Sequence, residues 1–60
     1  MIMGKLIILD HADGSVHIYD VQPNVEITEE YVDNLGFNLS TCSWMYDKEV
    51  SIHFHKRTLQ

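Results

Sequence analysis

Sixty residues, 45% of them hydrophobic and 22% charged, describe one small folded domain and exclude intrinsic disorder, which requires a much poorer supply of apolar side chains. Nine acidic against four basic residues give a formal charge of −5 with histidine neutral, a balance that repels phosphate backbones and argues against nucleic-acid binding. A single cysteine, Cys42, excludes an intramolecular disulfide. A chain this short buries only about 60% of the surface its unfolded form exposes, so a metal or a partner subunit is the expected source of extra stability.

The opening residues, MIMGKLIILD, carry Lys5 and an apolar run of only four residues before Asp10. Neither a secretory leader nor a membrane span fits there, and the expectation is a soluble, cytoplasmic protein. From Lys5 to Val21 two runs rich in aliphatic residues flank Asp13-Gly14, a strong hairpin signal because glycine accepts the positive φ of the turn. The spacing predicts β1 over residues 4–10 and β2 over 15–21, joined by a loop of two residues, or of three with a bulge.

Pro23 breaks the second strand. Thr28 then stands as a helix N-cap, Glu29 and Glu30 suit the positive end of the dipole, and Ile27 and Val32 have the spacing of a hydrophobic staple. With Gly36 at the C′ position the predicted helix covers about 29–35 and presents a stripe of Tyr31, Val32 and Leu35.

Beyond the helix, the pattern predicts a second hairpin turning around Asp47-Lys48-Glu49. Its first strand directs Cys42, Trp44 and Tyr46 to the core; the rival register would direct Met45 there. Its second strand, VSIHFHKR at residues 50–57, alternates Val50, Ile52 and Phe54 with Ser51, His53 and His55. The expected fold is α+β, in the order ββαββ, with a four-stranded, mostly antiparallel sheet and one short helix packed on one face.

One helix of two turns covers one sheet face, yet Leu6-Ile7-Ile8-Leu9 is apolar on both. Something must cover Ile7 and Leu9, and a second copy of the chain is the simplest cover. The leading functional expectation is therefore a non-enzymatic protein, homodimeric or bound to another protein, acting through an exposed sheet face or edge around Ile7, Leu9, His17, Tyr19, His53 and His55.

A different class of function uses the histidines as ligands. His53 and His55, two apart on one strand face, with His17 or Cys42 as a third ligand, would suit zinc. The H-x-H pair belongs to no closed zinc pattern, and the polar or interface side of a sheet is the better explanation of it. If His17, His53 and His55 met a partner, protonation near pH 6 would weaken that interface. Cys42 beside a histidine could be a nucleophile, but no oxyanion-hole element accompanies it. Asp10, Asp13 and Asp20 lack the spacing of a calcium loop. No cofactor-binding motif occurs.

Overall fold

The computed structural model describes residues 3–60, in the order β1 (Gly4–Asp10), β2 (Ser15–Val21), α1 (Glu29–Asn34) and β3 (Cys42–Asp47). The sheet has three antiparallel strands in the order β2-β1-β3. The expected fourth strand is absent among the described residues, and 48–60 carry no regular structure. The four-stranded ββαββ expectation is thus corrected to ββαβ, within the same α+β class.

Turn chemistry accounts for the difference. At the first hairpin Asp10 pairs with Ser15, so the loop is residues 11–14, four residues rather than the two or three expected. Gly14, at φ 71°, closes it by donating its N–H to the Asp10 carbonyl at 2.9 Å. Asp47-Lys48-Glu49-Val50 holds no glycine, and no residue other than glycine has a positive φ among the described residues. Tight hairpins need that conformation, and Lys, Glu and above all β-branched Val accept it poorly. After Asp47 the chain bends at Lys48 and Glu49 and pairs no further strand among the described residues.

Register fixes two faces. Leu6 lies between Tyr19 and Tyr46, and Ile8 between His17 and Trp44. This is the covered face: Leu6, Ile8, Val21 and Val32 are buried, with Val25, Ile27, Phe37, Leu39, Cys42, Trp44 and Tyr46 packed around them. Cys42, Trp44 and Tyr46 point inward as the expected β3 register has it. On the opposite face Ile7 lies between Ile18 and Met45, and Leu9 between Val16 and Ser43.

The helix is local in origin and short in reach. Thr28 is its N-cap, its hydroxyl oxygen accepting from the Tyr31 N–H at 3.2 Å. Of the expected stripe only Val32 is buried; Tyr31 and Leu35 stay exposed. A six-residue helix presents about one residue per turn to a flat sheet, and the loop carrying Phe37 and Leu39 supplies the rest of the cover.

Where β1 enters the sheet, the chains run too close for a side chain. A Cβ on Gly4 would lie 2.9 Å from the Asp47 carbonyl oxygen and 2.8 Å from the Tyr46 ring. Tyr46 can rotate, but the backbone oxygen moves only if β3 separates from β1. Gly4→Ala is therefore expected to destabilise the fold by about 1–3 kcal/mol, as overpacking does. A thermal melt checks this, and an unchanged midpoint would refute the close approach.

Candidate surface sites

The open face is an ordered array of side chains. At one end Lys5 stands between Asp20 and Asp47, and its Nζ meets the Asp20 carboxylate at 2.5 Å. The pair is exposed, so it adds little stability, but it marks a polar margin. The next two rows are apolar except for Ser43: Ile18-Ile7-Met45, then Val16-Leu9-Ser43. Val16 is 62% exposed and Met45 53%, well above what β-sheet side chains under a covering layer show. A hollow of about 260 Å³ opens beside Ile7, Leu9 and Met45.

The six residues expected to form one interaction face do not share one. Ile7 and Leu9 lie on the open face. His17 and Tyr19 alternate with Val16 and Ile18 along β2 and point to the helix side, where Phe37 meets both rings edge-on, with centroids 5.0 Å and 6.4 Å away. His53 and His55 lie in the irregular segment after β3 and are exposed. The physical reason is the register: strand neighbours face opposite ways, and β2 places its polar and aromatic set inward. Val16, Ile18 and Met45, absent from that expectation, belong to the open face. Alternation from Ile7 across a hairpin would have found Val16 and Ile18.

The same separation removes the expected ligand set. His17 is held on the sheet beneath Phe37, whereas His53 and His55 belong to the expected strand that does not form. Among the described residues no group of three or more His, Cys, Asp and Glu side chains is placed to hold a metal ion.

Two serine–histidine pairs are the remaining polar contacts of chemical interest. His11 Nε2 lies 3.0 Å from Ser43 Oγ, and His17 Nε2 lies 2.8 Å from Ser15 Oγ. Ser15 in turn donates its hydroxyl proton to Asp13 at 2.5 Å. With that proton directed at Asp13, His17 serves as donor to Ser15. A nucleophilic triad needs the histidine in the middle, accepting the serine proton. Here serine is in the middle, so the string builds a turn and does not activate an oxygen.

The Ser15 hydroxyl holds the Asp13 carboxyl below its usual value, outweighing the opposing effect of desolvation. A carboxylate whose folded pKa is depressed stabilises the fold above the unfolded value of about 3.9 and ceases to do so as pH falls through the folded value. The turn should accordingly loosen only in acid. Titration of Asp13 by NMR should show a midpoint below that of a free aspartate, restored by Ser15→Ala; a midpoint at or above the free value would contradict the hydrogen bond.

The concave spaces on the other side are small. One of about 210 Å³ lies between Tyr19, Val21, the helix residue Tyr31 and the C-cap Leu35, and one of about 190 Å³ lies beside Gly4, Pro23 and Tyr46. All three hollows fall below the roughly 300–1,000 Å³ of ordinary small-molecule sites. Among the described residues no helix is long and apolar enough to cross a membrane. No protein-family model, curated protein sequence or solved structure matches this chain.

Proposed function

We propose that this protein is a non-enzymatic interaction module that self-associates through the open face of its sheet, centred on Ile7, Leu9, Val16, Ile18 and Met45. The observation that carries this reading is the pair of apolar rows left uncovered opposite the helix. Contiguous exposed apolar surface of this kind marks interaction sites in folded proteins. Lys5, Asp20 and Asp47 supply the polar rim that interfaces carry around their apolar centre. The small hollows and the orientation of the Asp13-Ser15-His17 string support a binding role over catalysis.

Native mass spectrometry of the untagged full chain, with sedimentation equilibrium from micromolar to millimolar concentration, tests the reading. A metal-free dimer is the expected species. A monomer throughout that range would refute self-association, and stoichiometric zinc would return the histidines to the centre of the protein's chemistry.

A further inference from the structure

The segment after β3 is built like a strand but has no strand to lie on. Residues 50–57 keep a strict alternation of Val50, Ile52 and Phe54 with polar neighbours, yet Phe54 is 94% exposed and Ile52 is exposed as well. Among the described residues the outer edge of β3 has no partner strand, since the sheet order is β2-β1-β3. A strand-like segment and a vacant edge thus lie on one chain, joined by a connection whose residues disfavour a tight turn.

The unsatisfied surface is large for so small a protein. The radius of gyration is 13.0 Å, against about 10 Å for a compact 60-residue domain. The accessible surface is 5138 Å², where a folded monomer of 7.0 kDa shows about 4,000 Å². The open face alone is five apolar side chains wide, and stable interfaces use about 20–30 residues on each partner. The β3 edge offers a second contact, separate from that face: strand exchange there sets the two open faces side by side on one side of a continuous sheet.

Resting on the self-association reading above, we propose that residues 50–57 add as a fourth strand to the β3 edge of a second copy, each chain lending its segment to the other. In this exchange the bend at Lys48-Glu49 straightens, and no residue needs a positive φ. The two copies align β3 and the following segment as one long strand, paired antiparallel with its symmetry mate.

Symmetry and facing limit the register. The apolar residues of the segment must share the face of Trp44 and Tyr46, and opposite residues of an antiparallel pair share a face. Two registers near the hinge satisfy this. One places Asp47 opposite Glu49 twice, a repulsive contact. The other places Trp44 opposite Phe54, Tyr46 opposite Ile52 and Asp47 opposite Ser51, with Glu49 meeting its mate once at the axis. Aromatic pairing favours the second.

Charge points the same way. All nine acidic side chains precede residue 50, accompanied by only Lys5 and Lys48, whereas residues 50–60 carry Lys56 and Arg57 and no acid. A basic segment crossing an acidic body is attracted to it, and a second copy offers that body.

The test uses the full chain. A sample mixing isotope-labelled and unlabelled copies is examined for intermolecular nuclear Overhauser contacts between the Trp44 indole and the Phe54 ring. In parallel, Phe54→Asp is compared with the parent by sedimentation equilibrium and far-ultraviolet circular dichroism. The expected results are an intermolecular Trp44–Phe54 contact and a dissociation constant raised at least tenfold, with secondary structure retained because Phe54 is exposed in the single chain. The same contact within one chain would overturn the exchange in favour of an ordinary hairpin. A dimer lacking the contact and indifferent to Phe54→Asp would overturn it while leaving the open-face reading standing. A monomeric parent would overturn both.

Discussion

Ile8→Ala is expected to leave the chain unfolded at 25 °C. Ile8 is fully buried in the middle of the central strand, between His17 and Trp44, and belongs to the core with Leu6, Val21 and Val32. Truncating a buried isoleucine costs about 2–5 kcal/mol. A 60-residue domain has about 3–9 kcal/mol in total, and one with so little enclosed surface belongs at the lower end. Ile7→Ala removes the same atoms from the next residue on the open face and should shift the midpoint of the isolated protomer by a few degrees at most. Circular dichroism and Trp44 fluorescence during a thermal melt distinguish the two. If Ile8→Ala melts cooperatively close to the parent, the assignment of the covered face is wrong.

The second large effect concerns association. Ile18→Glu should raise the dissociation constant roughly 100-fold, the loss expected when a central interface residue is replaced by one that must bury a charge. Ile18 sits opposite Ile7 in the middle apolar row and is exposed in the protomer, so the substitution leaves the core intact. It also lies two strands away from the β3 edge, which separates its effect from that of Phe54→Asp. Sedimentation equilibrium at several concentrations provides the measurement. An unaltered constant, with folding preserved, would mean that the open face is not where copies meet.

The parts of the fold legible in the sequence are those decided by neighbours along the chain. The bounds of β1 and β2, the Thr28 cap and the inward set of β3 all follow from alternation and from one side chain reaching a nearby N–H. What alternation cannot report is whether a strand finds an edge. Residues 50–57 have the pattern of a strand, but pairing in the same chain depends on a turn that Lys48, Glu49 and Val50 do not favour. The first turn shows the same limit on a smaller scale: Gly14 marks the turn correctly, while the loop length is set by Asp10 pairing with Ser15. Ile7 and Leu9 were legible as unsatisfied because β1 is apolar on both sides. Their neighbours Val16, Ile18 and Met45 needed the cross-strand register, which also sends His17 and Tyr19 to the side of Phe37.

The outer edge of β2 has a consequence of its own. Among the described residues no strand lies on it, and neither the open face nor the β3 edge uses it. Edges in soluble proteins are blunted by unpaired charges, prolines and bulges. β2 has Asp20, already held by Lys5, and Pro23 only beyond its end. A seven-residue edge of this kind is a template for further strands, so turbidity and thioflavin fluorescence are expected to rise first with concentration through pairing along β2, and Ile18→Pro should suppress that rise.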